Sequence, residues 1–314
     1  MRLGNTSAIL TMAAVALLVP TAFLAQNPQV SIESRQKSKD DAPIQRPDVR
    51  VDTNLVLIPV SVSDQLGRPV AGLEKQNFKI ADNKQQQTIQ TFSMDDGPVA
   101  LGLVFDTSSS MRNVLAQARR AAALFVKMAN PGDHFLLVEF DSAPRMTVPL
   151  TEDLAHIKYE LTFNQSRGST ALIDGVYMAM HELKKSQNER KALIVVSDGG
   201  ENNSRYTTGE LRTLMQESEI LIYTVCIQGD DANPYLLKSI ADETGGRLFM
   251  ANSSLPDIAT KISIDLRNRY VLGYVPTNST RDGLYHKVDV VMTPPKGLSN
   301  LKTHWRRGYY APTE

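Results

Sequence analysis

The sequence predicts an α/β domain, with a mainly parallel central sheet flanked by helices, inserted in a small β-sandwich-like domain. Between residues 97 and 268, short apolar segments alternate with amphipathic helical patterns. Such alternation is typical of parallel strands that helices cover on both faces. Segments with the two-residue period of half-buried strands lie before and after this region. Neither flanking segment has enough strands to bury a core alone, so we expect the two to pair.

Residues 1–25 have the pattern of a secretory signal peptide. Arg2 precedes an apolar stretch that Pro20 interrupts, and small-residue cleavage points follow. We expect the mature chain to begin near Gln26 and to have no membrane span. An uncleaved N-terminal anchor is the alternative. Residues 26–50 are polar, contain three prolines and predict a disordered linker.

Composition narrows the class of protein. The 314 residues include 34 basic and 34 acidic side chains, so neither nucleic acid nor an anionic membrane surface is indicated as a partner. The single cysteine, Cys226, excludes an intramolecular disulfide and lies in a buried-strand pattern, where it acts as a small hydrophobic residue. An export signal without disulfides favours a secreted or periplasmic protein of the bacterial cell envelope.

The predicted halves of the β domain are residues 51–96 and 269–314. In the first half, one face of a strand carries Val56, Ile58, Val60 and Val62. A turn and a second hairpin follow. In the second half, Asp282-Gly283 predicts a hairpin turn between apolar strands.

The predicted α/β domain spans residues 97–268, where strand and helix patterns follow one another. Predicted strands cover residues 99–106, 134–142, 145–151, 191–200, 220–229 and 247–251. The second and third of these strands can pair with each other. Predicted helices cover residues 112–129, 152–163, 170–186, 207–219, 233–246 and 255–268.

Oxygen-bearing side chains follow two of the apolar strands. Asp106 ends one strand and is followed by Ser108 and Ser110, Asp198 ends another, and Thr170 opens a helix after a glycine-containing loop. Ligands of parallel α/β sheets bind at the carboxyl ends of strands, so these side chains can meet. No His or Cys matches this placement, which disfavours zinc and favours Mg²⁺, Mn²⁺ or Ca²⁺. Alternatively, the serines cap the next helix, which would explain one hydroxyl but not three.

The pattern resembles the metal-ion-dependent adhesion site of von Willebrand factor type A domains, through Asp106-x-Ser108-x-Ser110, Thr170 and Asp198-Gly199. The resemblance implies that Ser108 and Ser110 bind the metal directly and that Thr170 binds directly or through water. Asp106 and Asp198 would bind largely through water.

The resemblance covers roughly residues 97–265 and implies a Rossmann-like fold. Ser109 stands where glycine is common in the motif. The flanking β segments are similar to exported bacterial proteins of this class that have no assigned activity.

The resemblance implies a metal-dependent binding module that captures an Asp or Glu side chain of a partner protein. A metal-assisted hydrolase is the alternative, but the sequence has no G-x-S-x-G, H-E-x-x-H or G-x-x-x-x-G-K-[ST] motif. Aspartyl-phosphate chemistry usually requires a second aspartate two residues after the first, and Ser108 occupies that position. We therefore expect that this protein is not an enzyme. A third possibility is a cell-envelope scaffold whose metal only joins loops.

Residues around the motif have weaker predicted roles. Asp174 lies one helical turn after Thr170 and is placed to support the site, and Glu201 and Asn202 could line its rim. Asp141 follows a neighbouring strand and is predicted to be a turn residue.

Overall fold

The computed structural model describes residues 55–313, except residue 164, residues 228–231, residue 253 and residues 279–280. The predicted signal peptide and the predicted linker lie outside the described residues. Within the described ranges, no helix combines the length and the apolar character needed to cross a membrane.

The described residues form fourteen strands and six α-helices. The strands are β1 Val56–Ser63, β2 Phe78–Asp82, β3 Gln85–Gln87, β4 Thr91–Asp95, β5 Val99–Asp106, β6 His134–Phe140, β7 Pro144–Thr151, β8 Arg190–Ser197, β9 Leu221–Cys226, β10 Leu248–Met250, β11 Arg269–Tyr274, β12 Tyr285–Met292, β13 Lys302–Trp305 and β14 Gly308–Tyr310. The helices are α1 Leu115–Lys127, α2 Leu154–Phe163, α3 Leu172–Lys184, α4 Thr208–Gln216, α5 Pro234–Thr244 and α6 Leu255–Arg267.

The central sheet has six strands in the order β10-β9-β8-β5-β6-β7. Its strands are parallel except β7, which runs antiparallel to β6. Every residue of β5 is buried, because α1, α2 and α6 pack on one face of the sheet and α3, α4 and α5 on the other. Continuous apolar strands are stable only when both faces are covered in this way. The mainly parallel α/β sheet predicted from the sequence is confirmed.

The remaining strands form two four-stranded antiparallel sheets, ordered β13-β1-β11-β4 and β14-β12-β2-β3. Each sheet takes two strands from before the α/β part and two from after it. Alternate residues of the strands face one shared core, which includes Ile58, Val60, Phe78, Tyr270 and Val290. Strands from before and after the α/β part therefore pair to form one β-sandwich, as expected for an inserted domain.

Arg190 connects the two places where the chain passes between the β-sandwich and the α/β domain. Its Nε forms an ion pair with Asp95 at 3.0 Å. Its Nη1 donates to the carbonyl of Gly97 and its Nη2 to the carbonyl of Leu266, near the end of α6. Asp95 pairs with Arg269 at the start of β11, so both crossings lie side by side. The arginine fixes the start of β8 to both crossings.

We expect Arg190→Met to lower the free energy of unfolding by about 2–4 kcal/mol, because it removes the ion pair with Asp95 and the donors to two carbonyls. Urea denaturation measures the change. Arg68→Met is the matched control, since Arg68 makes an exposed ion pair with Asp64 and should change stability little. Equal effects of the two substitutions would contradict this role of Arg190.

The domain boundaries predict how fragments behave. A fragment of residues 97–268 should fold alone, because its sheet is covered on both faces by its own helices. Residues 51–95 alone should not fold, because β1 and β4 pair with β11 in one sheet and β2 pairs with β12 in the other. Amide dispersion in nuclear magnetic resonance spectra distinguishes the outcomes. Dispersed signals from the shorter fragment would contradict the inserted-domain interpretation.

Candidate metal site

Three loops meet at the carboxyl ends of β5 and β8. The loop after β5 joins the loop before α3 through Ser109, whose N–H donates to the carbonyl of Gly168 at 3.1 Å. The loop after β8 joins the same segment through Asn202, whose N–H donates to the carbonyl of Thr170 at 3.0 Å. Four residues singled out by sequence lie on these segments: Ser108, Ser110, Thr170 and Asp198. The fifth, Asp106, is the last residue of β5.

The two serine hydroxyls face each other instead of capping a helix. Oγ of Ser108 lies 3.0 Å from Oγ of Ser110. Ser108 is the N-cap residue of a short 3-10 helix, Ser109–Asn113, but its side chain makes no capping hydrogen bond. The alternative in which Ser108 serves as a helix cap is therefore wrong. The helix predicted over residues 112–129 is also shorter at its start, because regular α-helix begins only at Leu115.

Asp106 lies beneath the loop and not at its exposed surface. Its Oδ1 accepts the N–H of Ser108 at 2.8 Å, and its Oδ2 accepts the hydroxyl of Ser197. Burial, together with the smaller effect of the nearby charge of Asp198, raises the pKa of Asp106 to about 7 despite the opposing hydrogen bonds from Ser108 and Ser197. Both carboxylate oxygens already have protein donors, which suits a residue that acts on a cation through water.

Ser197 is a site residue that sequence reasoning missed. It ends β8, donates to Asp106, and its Oγ accepts the N–H of Gly199 at 2.9 Å. The available signal was a small polar residue at the end of an apolar strand, directly before Asp198. It links the two aspartate-bearing loops.

The side chains of Asp198 and Thr170 both lie close to Gly200. Oδ1 of Asp198 accepts the N–H of Gly200 at 2.9 Å. A Cβ atom on Gly200 would lie 3.2 Å from that oxygen and 3.7 Å from Oγ1 of Thr170. Oδ2 of Asp198 is buried and has no hydrogen-bond partner. A buried carboxylate oxygen without a donor is costly, so a cation or water is needed beside it.

Gly199 is required by the path of the Asp198 loop. Its φ is +85°, and a Cβ atom would lie 2.1 Å from the carbonyl oxygen of Asn233. The N–H of Asn233 in turn donates to the carbonyl of Asp198 at 2.8 Å. The loop is thereby fixed against the start of α5, and only glycine fits between them.

The donor set fits a hard divalent cation. It contains two buried carboxylates and three hydroxyls, and no basic side chain hydrogen-bonds to either carboxylate in the part of the chain that the structure describes. The described residues contain no group of three or more His, Cys, Asp or Glu side chains that could hold a metal. The candidate site has two carboxylates, and its other oxygens are hydroxyls. An all-oxygen set of hydroxyls and carboxylates matches Mg²⁺, Mn²⁺ or Ca²⁺.

The residues around the motif hold the Asp198 loop against α3. Both carboxylate oxygens of Asp174 accept the N–H of Arg205, at 2.9 and 3.0 Å, and one also accepts that of Tyr206. Oδ1 of Asn202 accepts the N–H of Thr170 at 2.9 Å, and Glu201 accepts that of Ile173 at the same distance. Their role is to position Thr170 and the loop.

Asp141 does more than form a turn. Its carboxylate pairs with Arg145 at 2.9 Å and with Arg167 at 3.3 Å, and these bonds hold its pKa below the usual value despite partial burial. Its carbonyl accepts the N–H of Ala171 at 2.8 Å. Asp141 therefore anchors the loop that carries Thr170.

We expect Asp198→Asn to weaken Mg²⁺ binding by about tenfold or more, because it removes a buried negative charge beside the cation while keeping the shape of the side chain. Ser110→Ala should cause a smaller loss, since it removes a neutral oxygen. Isothermal titration calorimetry measures both, with Asp153→Asn as an exposed control outside the site. Mg²⁺ affinity unchanged in Asp198→Asn would rule out this site.

Comparison with known proteins gives a family match. Residues 101–201 match the family model described as von Willebrand factor type A domain. No curated protein matches the chain. A solved structure, von Willebrand factor type A from Catenulispora acidiphila, is 14% identical, with 82% of this chain and 75% of that chain covered and a TM-score of 0.49.

Two other solved structures have similar scores. The conserved hypothetical protein BatB from Bacteroides thetaiotaomicron is 18% identical over 54% of this chain and 98% of that chain, with a TM-score of 0.46. Proximal thread matrix protein 1 from the mussel byssus, described with a zinc-occupied MIDAS motif, is 19% identical over 59% of this chain and 50% of that chain, with a TM-score of 0.49. Together with the parallel sheet and its covering helices, the family match identifies the inserted part of this chain as a von Willebrand factor type A domain.

Proposed function

We propose that this chain is an exported binding module of the bacterial cell envelope. It holds a divalent cation, Mg²⁺ or else Mn²⁺ or Ca²⁺, and captures an Asp or Glu side chain of a partner protein. The proposed ligands are Asp106, Ser108, Ser110, Thr170 and Asp198. The main support is Oδ2 of Asp198, a buried carboxylate oxygen that has no hydrogen-bond donor among the described residues.

Each proposed ligand has a distinct task. Ser108 and Ser110 offer hydroxyl oxygens that neutralise no charge, and Thr170 adds a third. Asp106 holds the serine loop in place through its bond to the Ser108 N–H, while Asp198 supplies negative charge from the neighbouring strand. A cation held this way would offer an open coordination position and a residual positive charge, which favour an anionic oxygen from outside.

Binding is better supported than catalysis. Cys226, whose thiol would be the strongest nucleophile if ionised, is buried beneath the Asp198 loop. Burial, together with the charge of Asp198, raises the pKa of this thiol to about 11. Glu201, a carboxylate on the Asp198 loop, accepts hydrogen bonds from Ile173 and from Ser204 with its two oxygens. These contacts favour a binding role over the metal-assisted hydrolase.

The binding role predicts metal-dependent capture that Asp198→Asn abolishes. We expect immobilised protein to retain a partner from envelope extract in Mg²⁺ and to release it in chelator. The Asp153→Asn control should behave as wild type. Capture that survives both chelator and Asp198→Asn would contradict the proposal. Metal-dependent stability without metal-dependent capture would instead indicate the scaffold.

Export predicts a mature chain that begins near Gln26 and is recovered from the periplasm or the medium. Intact-mass measurement of the protein from each fraction tests this. A chain that keeps Met1 and remains in the membrane fraction would mean that the N-terminal segment is an anchor.

A further inference from the structure

A cleft of about 700 Å³ lies between the β-sandwich and the α/β domain. Val99 at the start of β5 and Leu221 at the start of β9 line it, whereas the candidate metal site follows the ends of β5 and β8. The cleft is therefore at the opposite end of the parallel sheet. Its size is in the range of small-molecule sites, which often lie between domains.

One wall of the cleft is the outer face of the first sandwich sheet. In β1, Ile58 and Val60 face the sandwich core, so Leu57 and Pro59 face the other way and line the cleft. Val271 pairs with Pro59 and also lines the cleft. The side chain of Leu57 is 48% exposed although it is large and apolar. These three residues form an apolar strip.

Two arginines lie at one end of this strip. Arg269 precedes Tyr270, which pairs with Val60, and Arg306 follows Trp305, which pairs with the same residue from the other side. Both arginines line the cleft, and Nη2 of Arg269 donates to the carbonyl of Pro59 at 3.2 Å. This wall of the cleft therefore has the apolar strip at one end and two cationic side chains at the other.

Both arginines have N–H groups that the protein leaves unsatisfied. Nε and Nη1 of Arg269 and Nε of Arg306 are buried without a hydrogen-bond partner. Arg269 is 5% exposed, and burial lowers the pKa of Arg306. Buried donors of a charged group carry a penalty until an acceptor reaches them.

The carboxylates near the cleft do not satisfy these donors. Asp95 is bound by Arg190 at 3.0 Å. Nη1 of Arg306 donates to Glu219 at 3.4 Å and Nη2 to the carbonyl of Gln216 at 2.8 Å, which leaves Nε of Arg306 without a partner among the described residues. Asp265 accepts the hydroxyl of Tyr223, and its Oδ1 is itself unpartnered, so it does not hydrogen-bond to Arg269.

We propose that this cleft binds a small amphipathic carboxylate. Its head accepts hydrogen bonds from Arg269 and Arg306, whose planar guanidinium groups suit a carboxylate. Its aliphatic body packs on Leu57 and Val271, which removes apolar surface from water. This site is independent of the cation and of the proposed capture of a partner.

Decanoate is the probe, titrated calorimetrically into the full chain. We expect saturable binding with one site, unchanged in chelator, and no equivalent binding of the neutral alcohol decanol. Arg306→Gln should weaken decanoate binding about tenfold, because a charge-assisted hydrogen bond is lost. Leu57→Glu should weaken it at least as much, by placing a negative charge at the apolar strip. Leu284→Glu, at a residue that is 63% exposed and does not line the cleft, is the matched control and should bind as wild type.

Melting temperatures without probe show whether each variant is folded. If Arg306→Gln is not folded, Leu57→Glu decides alone, since Leu57 is partly exposed and its replacement leaves the arginines in place. Absence of saturable decanoate binding would overturn the proposal and mean that ordered water satisfies the arginines. Wild-type affinity in Leu57→Glu would overturn it as well, because decanoate would then bind elsewhere.

Discussion

The hydrogen bonds accepted by the buried carboxylate of Asp106 are the constraint on which the candidate site depends. One bond fixes the N–H of Ser108, and the other fixes the hydroxyl of Ser197 on the neighbouring strand. The serine loop and the Asp198 loop are therefore held at a set separation by one side chain. Because Asp106 and Asp198 are both buried and interact, the arrangement concentrates negative charge where the described residues supply no basic partner. A divalent cation at this point would relieve that repulsion and tie the loops together.

Different polar interactions stabilise the two ends of the parallel sheet. At the carboxyl ends of the strands, backbone N–H groups and hydroxyls surround carboxylates. At the opposite end, arginine side chains join the two domains. Arg190 of the α/β domain forms an ion pair with Asp95 of the β-sandwich. Arg269 donates to the carbonyls of Pro59 in the β-sandwich and of Gly245 in the α/β domain. Guanidinium groups suit this role because each presents several donors in a fixed plane. The β-sandwich is thereby attached at the end of the sheet opposite the candidate metal site.

The sequence was sufficient to predict the fold class and to place Asp106 and Asp198 at the same edge of the sheet. Apolar runs that end in Asp106 and Asp198 predict buried parallel strands, and strand order then brings their ends to one edge. The role of Ser197 was not predicted, and Asn202 was expected only to line the rim, because each side chain acts on a partner in a distant segment and has no local pattern. Asp141 was predicted as a turn residue for the same reason, since Arg167 reaches it from another loop. The 3-10 helix after Ser108 was missed because its residues continue the amphipathic pattern of α1.

An anomalous-difference map from a crystal soaked in Mn²⁺ tests the central claim most directly, because it locates the cation without reference to any partner. The account predicts a strong peak among the side-chain oxygens of Ser108, Ser110, Thr170 and Asp198, and its loss in a crystal of Asp198→Asn. A map with no peak at these oxygens at saturating Mn²⁺, or with its strongest peak at other residues, would contradict the account.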